Sequence, residues 1–186
     1  MGDDLPTLFV HRRMLERLLA VERRPWEVGG WLLGWWAADR VSLFVTHATP
    51  PASRGTPFGV TISGRGHRQF FDEAWDQARG HVTFLGDWHT HPGGPALPSK
   101  RDRAAAAALA DNPDFGTPEP LLAIIATPRW PWSHREASAA FFVRRDEILQ
   151  PLGPRVVDRL PEVADRVPDG RWWAAAKARP GPDGAP

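Results

Sequence analysis

The 186-residue chain contains no cysteine. It can form neither a disulfide framework nor a thiolate metal site. The same absence excludes zinc deaminases, which need a cysteine pair. Tyrosine is also missing, whereas tryptophan occurs ten times. Surface tryptophans can mark a binding patch, although large aromatics more often pack into or against a core. Long hydrophobic runs are lacking too. The longest apolar stretch, 31–38, is broken by Gly34 and falls far short of the roughly 20 residues a membrane span needs. Charge of one sign is not in excess: 23 basic residues are interleaved with 22 acidic ones. That pattern gives no nucleic-acid footprint. The opening Met1-Gly2-Asp3-Asp4 lacks the basic start of a signal peptide. These features lead to the expectation of a soluble, cytoplasmic protein without nucleic-acid or membrane partners.

Apolar residues make up 42% and charged residues 24%, a globular composition of a size suited to one domain. An edge strand is expected at 8–10, then a helix over 11–24 with Met14, Leu15, Leu18 and Leu19 at helical spacing. The nearly continuous apolar run 28–36 suits a strand buried on both faces. A turn at Asp39-Arg40 leads to a second strand over 41–46. Residues 50–59, rich in Pro, Gly and Ser, read as an exposed loop, with a short strand over 58–62. A helix is predicted over 66–79, a strand over 82–91, a helix from Ser99 to about 110, and strands over 121–126 and 137–143. Beyond about 150 the chain turns Pro-rich and charged, with a short helix near 156–163 and a disordered end over 178–186. The expected organisation is one α/β domain over 1–150, a curved mixed sheet flanked by helices, with a C-terminal extension over 151–186.

The informative segment runs from Gly86 to Asp102. His89 and His91 lie at i and i+2 on a predicted strand, so their imidazoles face the same side. Ser99 opens the next helix and Asp102 falls in its first turn. The Pro- and Gly-rich loop between them lets the helix start fold back over the strand end. Two His and one carboxylate supply three ligands and leave a fourth zinc position for water, the pattern of a catalytic site. Zinc lowers the pKa of that water to about 7 and polarises a carbonyl. A nearby carboxylate must move the proton, and Glu27, just before Val-Gly-Gly-Trp-Leu-Leu-Gly, is the best candidate. Periodicity alone does not separate it from Glu22 or Glu73. A Ser-x-x-Asp is also an ordinary helix capping box, and both roles are compatible here.

His89-x-His91-x7-Ser99-x2-Asp102 resembles the JAMM signature of MPN-type metalloproteases, and Glu27-Val-Gly-Gly resembles their upstream glutamate segment. The likeness follows element order over roughly 8–143 and is nearest the stand-alone prokaryotic JAB proteins. It implies the MPN (JAB) fold, a cytidine-deaminase-like three-layer arrangement. It also implies one catalytic zinc on His89, His91 and Asp102, Glu27 as base, and Ser99 holding the water or the oxyanion. The implied reaction is hydrolysis of the amide bond at the C-terminus of a ubiquitin-like protein, either deconjugation or precursor processing. Ubiquitin-activating or conjugating-like enzymes are the implied neighbours, as in anti-phage systems. Thr90 stands where Ser is common, a departure expected to be neutral. The segment after the signature is short, so the substrate-gripping insertion of eukaryotic relatives is reduced. The loop 50–59 sits where relatives cradle a substrate tail. Asp87, on the same strand face as His89, is a candidate to orient its imidazole. The pair Trp172-Trp173 is a candidate docking element.

Rival readings remain. PHP-type phosphoesterases need more His and Asp ligands than this chain offers, since only His134 lies downstream of His91. Amidohydrolase barrels need a longer chain. A non-catalytic scaffold of the same fold would have no need of the full ligand-plus-Glu set. A peptidase trimming a sulfur-carrier protein would use the same site.

Overall fold

Alternation shapes the first strand. In β1, Thr7–His11, Leu8 and Val10 are buried while their neighbours remain partly open. The computed structural model describes residues 5–21, 24–51, 55–56, 59–62, 67–128 and 136–159. Helix α1, Arg12–Leu19, buries Met14 and Leu18. It ends at Leu19 rather than near Arg24, its last turn closed by the Ala20 N–H on the carbonyls of Glu16 and Leu18. The apolar run becomes β2, Gly29–Trp36, buried through its first six positions. The turn at Asp39-Arg40 forms as expected. The Asp39 carboxylate accepts from the Val41 N–H at 2.9 Å, and the chain returns as β3, Ser42–Ala48.

Within the expected loop and short strand lies a small hairpin of β4, Gly55–Thr56, and β5, Gly59–Val60. Then come α2, Arg68–Gln77, β6, Thr83–Pro92, and α3, Lys100–Ala110. A 3-10 turn at Pro113–Phe115 leads to β7, Leu121–Thr127, β8, Ser138–Arg145, β9, Ile148–Leu152, and β10, Pro154–Val157.

Eight of these strands form one mixed sheet in the order β10-β1-β3-β2-β6-β7-β8-β9. The pairs β1–β10, β1–β3 and β6–β7 are parallel, and the rest are antiparallel. Register shifts at Leu32/Leu33 and Leu33/Gly34 break the regular ladder of β2, a feature that bends a sheet. One face, with Leu32, Leu85, Trp88, Ala123 and Ile125, packs on Met14 and Leu18 of α1. On the other, Trp31, Leu33 and Phe84 pack on Ala74 of α2 and Ala78 just beyond its end, and reach Leu109 of α3. The result is the expected α/β sandwich of helix, sheet and helix.

Three expectations need correction. The strand at 8–10 is not an edge, because β10 pairs outside it with Leu8 opposite Pro154. The expected helix at 156–163 starts instead inside β10. Val156 and Val157 are β-branched and complete an open sheet margin, which local helical spacing does not reveal. The boundary set at 150 falls inside β9, so the sheet runs to Val157. Residues 160–163, the tail 178–186, Trp172-Trp173 and His134 lie outside the described residues. Of the six described tryptophans, Trp31 and Trp88 are buried, Trp35 and Trp36 half-buried, and Trp26 and Trp75 exposed. Among the described residues no helix is long and apolar enough to cross a membrane.

Candidate metal centre

Strand β6 carries the histidines, and Gly86 lets it reach them. A Cβ at Gly86 would lie 1.9 Å from the Leu121 carbonyl, and its φ of +149° is one that side chains avoid. Glycine therefore allows β6 to run beside β7 with Gly86 opposite Leu121 and His89 opposite Ile124. Two residues apart on a strand, His89 and His91 project to one side, and their Nε2 atoms are 3.0 Å apart. The His91 Nδ1–H donates to the Pro95 carbonyl at 3.0 Å. That bond fixes the tautomer and leaves Nε2 as the ligand atom.

Helix α3 supplies the carboxylate. Ser99 caps it, and a complete capping box forms between Ser99 and Asp102. Asp102 Oδ1 lies 3.3 Å from His89 Nε2, and Oδ2 lies 3.5 Å from His91 Nε2. One ligand atom from each of the three residues lies within 4.8 Å of the others. Two imidazole nitrogens and a carboxylate oxygen, with room for a further ligand, fit zinc. Burial opposes the charge on Asp102, but hydrogen bonds from His89, His91 and Ser99 outweigh it and hold the carboxyl far below its usual range.

Glu27 reaches the site through backbone ties. Gly29 is paired with His89, the Thr90 N–H donates to the Val28 carbonyl at 2.8 Å, and the Val28 N–H donates to Thr90 Oγ1 at 3.0 Å. On the other side, the Glu27 N–H donates to the Thr56 carbonyl of β4 at 3.1 Å. Close approach needs glycine twice. A Cβ at Gly29 would meet the Trp88 carbonyl at 2.5 Å, and one at Gly55 the Glu27 carbonyl at 1.8 Å. Glu27 lines a cavity of about 290 Å³ together with His89, Ser99 and Asp102. Burial raises its pKa, His89 and His91 pull against that, and Asp102 adds to it. Glu73, the other described acid considered, accepts a hydrogen bond from Gln69 on the exposed side of α2.

All five residues predicted for the site thus meet at one place. A larger cavity of about 700 Å³ lies beside Trp31, Trp36 and Phe115 and holds none of them. Sequence reading missed the Pro95 and Thr56 carbonyls, which no side-chain pattern signals. Thr90, read only as a neutral replacement for Ser, has a hydroxyl with a structural task that serine would share. Asp87 lines the same cavity as His89, but no hydrogen bond joins the two, and Asp87 Oδ1 has no partner. The expectation that Asp87 steadies the imidazole is not met. Burial pushes its carboxyl up to about 7.

A three-layer α/β domain with a His-His-Asp cluster at the end of a central strand, flanked by a glutamate, defines a class of metal-site domains. The chain belongs to the family described as prokaryotic homologs of the JAB domain, matched over residues 11–144. Two relatives named CD-NTase/cGAS isopeptidase are similar in sequence. The one from Enterobacter hormaechei subsp. hoffmannii is 29% identical over 101 residues, 53% of this chain and 54% of that protein. The one from Pseudomonas aeruginosa is 32% identical over 80 residues, 42% of this chain and 49% of that protein. The chain thus spans about half the length of the curated relatives it matches. The solution structure of protein DSY2949 from Desulfitobacterium hafniense covers 83% of this chain and 96% of its own, with a TM-score of 0.59 and 20% identity. At that identity the likeness is one of fold.

Proposed function

We propose that this chain is a zinc-dependent isopeptidase, acting in the cytoplasm on the amide bond at the C-terminus of a ubiquitin-like protein. The single observation that carries this reading is the convergence of His89 Nε2, His91 Nε2 and the Asp102 carboxylate within 4.8 Å, with Glu27 on the same cavity wall. The isopeptidase names of the two relatives support the reaction class and favour a protein conjugate as substrate. Enzymes that form such conjugates, of the ubiquitin-activating kind, are the proposed partners. A defence setting fits the relatives' names.

His89, His91 and Asp102 would hold the metal. Bound there, zinc supplies Lewis-acid chemistry, polarising the scissile carbonyl and making a nearby water acidic. Glu27 takes the proton from the attacking water and returns it to the leaving nitrogen. Burial has already raised its proton affinity, which suits that exchange. The Ser99 hydroxyl, fixed at the helix start, donates to the oxygen on which charge develops. The hairpin β4–β5 walls the cavity at Gly59 and Val60 and offers an extended substrate tail a backbone to lie along. A scaffold role gives no reason for these groups to converge.

The deciding experiment measures zinc content and cleavage of a ubiquitin-like fusion for the native chain and Glu27→Gln. The expected result is one zinc in both and a loss of turnover of about 100-fold or more in the variant. A native chain that binds no zinc overturns the reading.

A further inference from the structure

The cavity of about 700 Å³ has the size of a site for a whole small molecule, and amide hydrolysis at the metal does not use it. It lies at the other end of β2 from the metal centre. His89 pairs with Gly29, whereas Thr83 on the cavity wall pairs with Gly34, about 17 Å further along the strand. A row of rings runs up to this cavity. Phe9 of β1 stacks on Phe44 of β3 with centroids 4.9 Å apart and planes 12° apart. Phe44 stacks in turn on Trp35 of β2 at 5.2 Å and 20°. The row stops at Trp35, which is half-buried and lines the cavity.

Charge on the lining leans positive: Arg40, Arg68 and His81 stand with a single acid, Asp114. Arg40 occupies the turn after β2 with a φ of +59°, where a long side chain is rare and glycine is at ease. Backbone strain that is kept in place points to a task for the residue. Its guanidinium lies 4.2 Å over the Trp36 ring and 2.7 Å from Glu119. Glu119 is also held by Arg145 at 2.7 Å, so Arg40 can turn to a ligand without stranding that carboxylate. Arg68 pairs with Asp72 in an exposed geometry that contributes little.

We propose that this cavity binds a mononucleotide. The base would extend the row of rings by stacking on Trp35, as bases do on exposed aromatic side chains. The phosphate would meet the forks of Arg40 and Arg68, whose planar donors match its oxygens. Asp114, an acceptor only, would take hydrogen bonds from the sugar hydroxyls. A flat ring, an anionic group and neutral donors on one small molecule answer the three kinds of group on the wall. An aromatic acid without hydroxyls would leave Asp114 beside a second anion. The site is separate from the metal centre and stands whether or not the chain cleaves a conjugate.

The test is calorimetric titration of the full chain with AMP, GMP, CMP and UMP, with their nucleosides, and with inorganic phosphate. At least one mononucleotide should bind about tenfold tighter than both its nucleoside and inorganic phosphate, since the charge-assisted bonds and the stacking each contribute about that factor. Arg40→Gly should weaken that mononucleotide about tenfold while the nucleoside is unaffected. Glycine suits the backbone there, so this variant should keep the native melting temperature. Trp35→Leu should weaken the nucleotide and the nucleoside alike. No preference for any mononucleotide over its nucleoside and inorganic phosphate overturns the proposal. So does binding that survives Arg40→Gly and is lost in Asp102→Ala, which would put the phosphate at the metal cluster instead. The comparison of ligands on the native chain, with Arg40→Gly, decides even where Trp35→Leu fails to fold.

Discussion

Ser99 and Asp102 hold each other twice. The Ser99 N–H donates to Asp102 Oδ2 at 2.6 Å, and the Asp102 N–H donates to Ser99 Oγ at 3.2 Å. The first bond takes one carboxylate oxygen and so fixes which way the Asp102 carboxyl faces the histidines. Ser99→Ala removes the second bond and the hydroxyl proposed to act on the substrate. Stability should fall by about 1 kcal/mol, the usual value of such a cap, and turnover should fall much further while zinc content holds. Thermal melts and kinetics on the same preparation check both. Turnover that drops only with the melting temperature would reduce Ser99 to a cap.

Thr90 ties Glu27 to the cluster through the Val28 N–H. Thr90→Val keeps the shape and removes the acceptor, leaving a buried donor unmet at a cost of about 1–3 kcal/mol. Thr90→Ser keeps the hydroxyl. The valine variant should lose stability and turnover, and the serine variant should retain most of both. Denaturant titration of the pair is the measurement, and equal behaviour would remove the assigned role of the hydroxyl.

Gly86 is the tightest point of the central strand. Gly86→Ala would set a methyl 1.9 Å from the Leu121 carbonyl at a backbone angle unsuited to alanine. Main chain has to move, and a loss of about 3 kcal/mol or more is expected from strain and broken pairing. Zinc affinity should fall as well, since His89 follows three residues later on the strand. A variant with native stability would show that the β6–β7 contact yields easily.

His47 gives a pH dependence with a definite sign. Burial, with Arg17 and His11 adding to it, pushes its pKa down to about 3 from the ordinary 6.5. Thr46 Oγ1 lies 2.7 Å from its Nδ1. The unfolded chain takes up this proton first as pH falls, so the folded state is favoured above 6.5 and loses ground from there down towards 3. Between pH 7 and pH 5 the contribution is about 2 kcal/mol. His47→Gln should show that much less acid destabilisation than the native chain in denaturant titrations at the two pH values. Identical pH profiles would mean that His47 gains a proton in the fold as readily as out of it.

The segment from Gly86 to Asp102 was legible because strand, loop and helix are continuous in the chain, so spacing alone brings His89, His91 and Asp102 together. Glu27 was legible only through resemblance to a motif. What holds it in place is the Thr56 carbonyl and the Thr90 hydroxyl, partners set by tertiary pairing. The sheet margin was misread for the same reason. Val156 and Val157 fit a short helix as well as a strand, and only the open edge of β1 decides between them. Asp87 was noticed, but its lack of a partner is a property of the enclosed space and leaves no trace in the sequence.

The parallel pairing of Leu8 with Pro154, reinforced by the ion pair of Arg12 with Asp158 at 2.6 Å, has a consequence for how the protein is made. On a ribosome adding roughly 5–20 residues per second, β1 would wait about 7–30 s for its outer neighbour. The strands and helix that carry the metal ligands emerge well before then. A nascent chain can therefore hold the assembled group of His89, His91 and Asp102 while one margin of its sheet still bears unpaired amides. Such a margin is a template for pairing with a second nascent chain. Synthesis of β10 then protects against aggregation, a task separate from any chemistry at His89 and His91.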